Sequence, residues 1–80
     1  MKLFPNPAFG KTYVVIVGAE EKNMKGGELF IYDGLGNLVF FQSFQNQTGQ
    51  IDLEGLKPGL YIVEVLVEGT RLREKILKTH

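Results

Sequence analysis

Short apolar runs alternate with glycine-containing breaks along this chain, and this alternation restricts its fold more than any other feature. Six runs rich in Val, Ile, Phe and Tyr are separated by Gly, Asn and Asp: KTYVVIVG, GELFIYD, NLVFFQSF, GQIDLE, GLYIVEVLV and TRLREKILK. Each has the length of a β-strand. The segment AEEKNMK alone has helical composition, but glycines bracket it, and it is shorter than the roughly 12 residues of a stable isolated helix. It is predicted to be a loop with at most one helical turn.

Length and composition limit both the architecture and the function. A chain of 80 residues forms one domain, and about seven strands at this spacing predict a small antiparallel β-sandwich. Nine basic residues balance nine acidic ones, which argues against binding to nucleic acid or to an anionic membrane surface. Cysteine is absent, which excludes disulfides and thiolate metal sites. The N-terminus lacks the uninterrupted apolar region of a secretory signal, so Met1 is expected to be an expression start on a domain cut from a longer protein.

The segment LFIYDGLGNLVFF predicts a first β-hairpin. Its loop is placed at residues 33–36, with Gly34 and Gly36 as the turn glycines. This loop predicts two apolar cross-strand pairs, Ile31 with Leu38 and Leu29 with Phe40. The opposite face is apolar as well, with Phe30, Tyr32, Val39 and Phe41. One of the two faces is expected to be core, and the other either to be covered by a second layer or to remain an exposed patch, which would make weak self-association plausible.

The segment LYIVEVLVEGTRLREKIL predicts a second hairpin, with a two-residue turn at Glu68 and Gly69. The predicted inward pairs are Val67 with Thr70, Val65 with Leu72, Val63 with Glu74, and Tyr61 with Ile76. The predicted outward pairs are Leu66 with Arg71 and Glu64 with Arg73. An exposed ion pair such as the latter contributes about 0.5 kcal/mol. Glu74 is the one charged residue on the otherwise apolar inward face. A β-bulge that moves Glu74 to the other face is an open alternative.

Catalytic and metal-binding constellations are not apparent. The only histidine is His80, the last residue, and the only serine is Ser43. Neither a zinc site nor a nucleophile–histidine pair can be assembled from them. Asp52 and Glu54 share one face of a strand and could join a calcium site, but a solvated strand face beside a turn is favoured. The sequence therefore predicts no enzyme and no cofactor.

Two further features, one at each end of the chain, are candidates for a functional role. Arg71, Arg73 and Lys75 alternate along the last strand as a basic stripe, with Lys78 close beyond. Such a stripe either contacts a partner or protects an edge strand from aggregation. At the other end of the chain, Pro5, Asn6 and Pro7 lie in FPNPAFG, where prolines restrict the backbone. This segment is predicted to lead stiffly into the domain.

Four motifs, in order along nearly the whole chain, resemble one known family. They are LFPNPAFG, IYDGLGNLV, IDLEGLKPGLYIVEV and EKILK. Together they resemble the type A C-terminal sorting domain of the bacterial type IX (Por) secretion system. The chain departs from the family pattern at Phe4, where Tyr is usual, and in the residues Thr79 and His80 that follow the final lysine.

This resemblance implies an immunoglobulin-like β-sandwich of about seven strands without catalytic activity. Residues 1–80 would be a single C-terminal sorting domain that carries an attached N-terminal passenger from the periplasm across the outer membrane, to be secreted or displayed on the cell surface. A signal peptide is then expected on the full-length parent. The implied partners are the outer-membrane shuttle and a sortase-like protease.

The resemblance also assigns recognition residues, namely Pro58, Gly59, Tyr61, Lys75 and Lys78. To these we add Arg71 and Arg73, on the hypothesis that the translocon binds the last hairpin. Pro58 and Gly59 are predicted to form a sharp turn. For Tyr61 and the valines that follow it, packing in the core is favoured over direct contact with a partner, and the two roles are compatible.

Two other interpretations of the sequence are alternatives to a sorting domain. The first is a carbohydrate- or protein-binding module of fibronectin or immunoglobulin type, appended to a secreted enzyme. Because Trp is absent, sugar binding would depend on Phe30, Tyr32 and Phe41, and only if their face is uncovered. The second is a structural spacer or the immunoglobulin-like part of a flagellar hook-capping protein, which has a strand similar to IYDGLGNLV.

Overall fold

A computed structural model describes residues 2–4, 10–15, 26–45 and 48–79. These residues form the strands β1 Lys2–Phe4, β2 Lys11–Val15, β3 Gly27–Tyr32, β4 Leu38–Phe44, β5 Thr48–Asp52, β6 Gly59–Val67 and β7 Thr70–Lys78. They include no helix, and the prediction of an all-β fold is confirmed. The segment AEEKNMK and the Pro5–Pro7 motif lie outside the described residues.

The strands are arranged in two sheets. One has three strands in the order β1-β2-β5, and the other has four strands in the order β4-β3-β6-β7. Every pairing between neighbouring strands is antiparallel. The larger sheet contains both predicted hairpins side by side, joined through the β3–β6 pairing. In this sheet β7 and β4 are the edge strands.

Residues from both sheets contribute to a single hydrophobic cluster. The buried members are Leu3, Leu29, Ile31, Ile51, Leu53, Tyr61, Val63, Val65, Val67 and Ile76. Four of them alternate along β6, so the prediction that its odd-numbered residues face inward is confirmed. Full burial of an aliphatic side chain stabilises a fold by roughly 1.5–3 kcal/mol, so this cluster is the main source of stability.

The β6–β7 hairpin has the predicted register. All six predicted cross-strand pairs are present, from Val67 with Thr70 to Tyr61 with Ile76. Glu68 and Gly69 both have positive φ angles, 49° and 80°, as a two-residue turn of type I′ requires. No bulge relocates Glu74, which pairs with Val63. Its side chain is nevertheless exposed, because it lies on an edge strand.

The predicted register of the β3–β4 hairpin was wrong. Ile31 pairs with Phe40 instead of Leu38, and Leu29 pairs with Gln42 instead of Phe40. The loop is one residue longer than predicted and spans residues 33–37, and the register shifts again between Ile31 and Tyr32. Leu38, which was predicted to share a face with the buried Ile31, is 53% exposed.

Candidate recognition surface on the last hairpin

The predicted basic stripe is divided between the two faces of the sheet. Arg71, Arg73 and Lys75 are exposed along β7. Lys78 is only 5% exposed and lies on the inner side with Ile76. Side chains alternate along a strand, so an odd spacing of three residues between Lys75 and Lys78 places them on opposite faces. Lys78 therefore does not continue the exposed row of Arg71, Arg73 and Lys75.

The ammonium of Lys78 stabilises the loop that precedes β6. Its Nζ donates a hydrogen bond to the carbonyl oxygen of Leu56 at 3.1 Å. The Tyr61 hydroxyl donates to the next carbonyl along the chain, that of Lys57, at 2.6 Å. Within the same loop, the amide of Leu56 donates to the carbonyl of Leu53. Two side chains of the last hairpin thus hold consecutive carbonyl groups of residues 53–58, which we call the Pro58 loop.

The Pro58 loop ends in the predicted sharp turn. Pro58 is exposed, and Gly59 has a φ of 155°, a backbone conformation that side-chain-bearing residues rarely adopt. Gly59 is also the first residue of β6 and pairs directly with Lys78. The proline and glycine of the family motif and the last lysine therefore meet at one end of the hairpin.

Glu64 is a functional candidate that the sequence reasoning missed. It was predicted to form an exposed ion pair, but it is only 5% exposed. Arg73 donates from Nε to its Oε2 at 2.8 Å, and Nη1 of Arg71 lies 3.8 Å from its Oε1. In register, Glu64 lies between Phe30 on β3 and Arg73 on β7, which shield it from solvent. The sequence carried no signal for this burial, because it depends on the pairing of β6 with β3.

The outer face of β3 and β4 carries a cluster of aromatic rings. The ring centroids of Phe30 and Phe41 are 5.2 Å apart with planes tilted by 52°, and those of Phe30 and Tyr32 are 6.5 Å apart and stacked. Phe41 is 50% exposed and Val39 is 37% exposed. This is the hairpin face that is not core, and of the two outcomes predicted for such a face the structure shows the exposed patch.

A shallow groove of about 500 Å³ lies between this aromatic cluster and the arginines. Tyr32, Leu60 and Ile62 contribute its apolar lining, and Glu64, Arg71 and Arg73 form one side. The predicted turn glycines Gly34 and Gly36 border its other end. The groove thus joins the two hairpins on the outer face of the sheet.

Asp33 organises the loop at that end of the groove. Its Oδ1 accepts hydrogen bonds from the amides of Asn37 and Leu35, both at 2.9 Å. These bonds, led by the one from the Asn37 amide, hold the pKa of the Asp33 carboxyl below its ordinary value. Gly36 has a φ of 88°, whereas Gly34 has no positive φ, so the loop requires glycine at only one of the two predicted positions.

Asp52, a candidate calcium ligand in the sequence, takes part in a turn. The carboxylate of Asp52 accepts a hydrogen bond from the amide of Glu54 at 3.0 Å, an arrangement that stabilises a turn. Across residues 2–4, 10–15, 26–45 and 48–79, no group of three His, Cys, Asp or Glu side chains is placed to hold a metal ion. The same residues include no helix with the length and apolar character needed to cross a bilayer.

Comparison with known protein families matches residues 2–79 to one family, described as the secretion system C-terminal sorting domain. This family belongs to type IX secretion. Comparison with curated proteins gives no match. The family match includes both hairpins, the Pro58 loop and the four motifs quoted above, and it covers far more than half of the chain. The chain therefore belongs to the family of secretion system C-terminal sorting domains.

Proposed function

We propose that residues 1–80 act as a single, non-catalytic sorting domain at the C-terminal end of a secreted passenger protein. The family is a C-terminal sorting signal of type IX secretion and is in general non-catalytic. Membership implies interaction with the type IX machinery and export through the outer membrane, to the medium or the cell surface. In this proposal a signal peptide on the full-length parent brings the passenger to the periplasm, an outer-membrane shuttle receives the domain, and a sortase-like protease removes it.

We also propose that the domain is an immunoglobulin-like β-sandwich. The two sheets contribute to one hydrophobic cluster, as the layers of a sandwich do. The bond from the Tyr61 hydroxyl to the carbonyl four residues upstream resembles the tyrosine corner of immunoglobulin-like domains. Both observations support this architecture.

The recognition residues divide into two groups in this proposal. Arg71, Arg73 and Lys75 are exposed on the outer face of the last hairpin and contact the machinery. Pro58, Gly59, Tyr61 and Lys78 shape the loop at the end of that hairpin. The observation that carries this division is the hydrogen bond from the buried Lys78 ammonium to the Leu56 carbonyl, since a buried cation is not available to a partner. The Pro5–Asn6–Pro7 motif is proposed to be a stiff entry from the passenger into the domain.

A secretion assay tests the proposed function. A fluorescent passenger with an N-terminal signal peptide is fused to the domain and expressed in a bacterium that has a type IX system. We expect the passenger in the medium or at the cell surface. A fusion without the domain, and the intact fusion in a strain lacking the translocon, should both remain in the periplasm. Equal export without residues 1–80 would contradict the proposal.

A second candidate function is a binding module for carbohydrate or protein. The observation that supports it is the half-exposed Phe41 beside Phe30 and Tyr32, because planar rings at the surface can stack on sugars. Binding of the purified domain to polysaccharides or to a glycan array, and its loss in Phe41→Ala, would favour this function. If Phe41→Ala also leaves export of the fusion intact, binding and sorting are separate functions of the domain.

The exposed aromatic cluster also supports the expected weak self-association. Light scattering at several protein concentrations measures it directly. We expect the apparent mass to rise with concentration in the wild-type domain and to stay constant in Phe41→Ser.

A further inference from the structure

Glu64 is a buried carboxylate on a sheet face where stability alone would not place one. Burying a charge costs free energy, and the attraction to a partner recovers that cost only with good geometry. Well-packed apolar residues are often equally stable at such positions. The neighbours of Glu64 along the outer side of β6 are Ile62 and Leu66, so an aliphatic residue would suit the position. Packing alone therefore does not explain a carboxylate at position 64.

The arrangement of the arginines supplies such a role. Glu64 engages Arg73 through its Nε, and the carboxylate also attracts Arg71. The side chains of Arg71 and Arg73 remain 68% and 69% exposed. A guanidinium has five N–H donors, so the donors not used by Glu64 are presented to solvent from a fixed position. Holding an arginine in place before binding reduces the entropy that is lost when a partner arrives.

An apolar surface adjoins these two arginines. Leu60, at 52% exposed, and Ile62 line the groove beside them, and Tyr32 forms part of the same lining. Arginine and tyrosine around an apolar pocket are the residues most often found at the energetic centre of protein interfaces.

We propose that the outer ends of Arg71 and Arg73, together with this groove, form a docking site for a partner protein that presents a carboxylate next to an apolar side chain. The carboxylate binds the donors that Glu64 leaves available, and the apolar side chain occupies the groove over Leu60 and Ile62. Glu64 is a positioning residue in this site. The inference rests on the proposed sorting function and names the chemistry of the partner surface.

Charge complementarity favours a protein over a lipid or phosphate surface. Glu64 already neutralises one of the two guanidinium charges, and the chain as a whole is formally neutral. Binding to an anionic membrane typically needs clusters of about 4–8 basic residues. A single carboxylate, in contrast, matches the paired donors of arginine in both charge and shape.

Variants of the secretion fusion test the role of the arginines. We expect Arg71→Gln with Arg73→Gln to lower the export rate about tenfold, because charge-assisted hydrogen bonds are lost. Arg73→Lys keeps the charge but loses the planar fork, and we expect a loss of about threefold. Glu64→Gln should also lower the export rate about threefold, because the arginines are then held less firmly. Lys11→Gln, which removes an exposed cation from the other sheet, is the matched control and should export like wild type.

Export by Arg73→Lys and by the double variant at the wild-type rate would overturn the inference. Circular dichroism and urea unfolding of each purified domain identify losses that come from folding. If the Glu64→Gln domain proves unstable, the Arg73→Lys variant still tests the inference, because the Arg73 side chain is largely exposed and its substitution should not unfold the domain. Failure of the wild-type fusion to export at all would contradict the proposed function itself, a different and separable result.

Photo-crosslinking identifies the chemistry of the occupant. The probe is p-benzoylphenylalanine at position 62 in the wild-type fusion, irradiated in cells during export. We expect a crosslinked peptide from an outer-membrane protein with Asp or Glu adjacent to an apolar residue, and loss of the crosslink in the double arginine variant. A crosslink to lipid alone, to a peptide without acidic residues, or no crosslink in a fusion that exports would each contradict the inference.

Discussion

The two hairpins of the larger sheet look alike in sequence, yet only one of them had a predictable register. Both join apolar strands through short turns that contain glycine. In the β6–β7 hairpin every predicted pair is present, from the turn at Glu68 to the pair of Tyr61 with Ile76. In the β3–β4 hairpin the predicted pairs were displaced by two residues.

The difference lies in how much the side chains distinguish the two faces. In β6–β7, apolar residues and the cations Arg71 and Arg73 alternate, and a shift by one residue would bury the cations. In β3–β4 both faces are apolar, so several registers bury similar surface. In this hairpin the loop determines the register, because the hydrogen bonds that Asp33 accepts favour a loop of residues 33–37. Polarity specifies the register of one hairpin, and local hydrogen bonding specifies that of the other.

The largest loss of stability is expected from a substitution at the start of the β3–β4 hairpin. Gly26 has a φ of 101°, and a Cβ there would overlap the carbonyl oxygen of Phe44. We expect Gly26→Ala to lower the free energy of unfolding by about 3 kcal/mol or more, because backbone strain and overlap add. Gly69→Ala in the other hairpin is the matched control. It has a φ of 80° but open space, and should cost about 1–2 kcal/mol. Equal losses in urea unfolding would contradict this comparison.

The next effect concerns the two lysines near the end of β7. Lys78→Met removes the donor to the Leu56 carbonyl, and we expect a loss of about 1–2 kcal/mol in the free energy of unfolding. Faster amide hydrogen exchange should be confined to the Pro58 loop. Lys75→Met on the exposed outer face should cost less than Lys78→Met, because interactions of an exposed charge contribute little. If both variants behave alike, the structural role assigned to Lys78 is wrong.

A smaller change should strengthen the β6–β7 turn. Glu68 has a φ of 49°, a left-handed conformation that asparagine tolerates better than glutamate. We expect Glu68→Asn to raise the free energy of unfolding by about 0.5 kcal/mol without a change in register. Urea unfolding measures the gain, and cross-strand nuclear Overhauser effects between Val67 and Thr70 verify the register. A loss of stability would show that the Glu68 side chain contributes to the turn.

The smallest effect is the pH dependence of the β3–β4 loop. The folded pKa of Asp33 lies below the ordinary value of 3.8, so its carboxylate stabilises the folded loop above that value. This contribution is lost as the pH falls from 3.8 through the folded pKa. We expect the wild type to exceed Asp33→Ala in stability at pH 6 and the gap to narrow at pH 2. A gap that is independent of pH would exclude the carboxylate as its cause.

Much of the fold could be predicted because strand period and turn composition are local properties. The inward residues of β6 and the β6–β7 register followed from alternation alone. The burial of Lys78 was also accessible, since its odd spacing from Lys75 already placed it on the other face. The burial of Glu64 was not, because it depends on Phe30, a residue more than thirty positions away that pairs with it only through the β3–β6 contact.

Local patterns were thus sufficient to specify the all-β class, one complete hairpin and the family of sorting domains. Three-dimensional packing was required for the order of the strands, the register of β3–β4 and the chemistry of the surface. The physical reason is that propensity and alternation act over a few neighbouring residues, whereas burial and charge pairing depend on which distant strands lie side by side. The docking site proposed around Glu64, Arg71 and Arg73 belongs to this second kind of information.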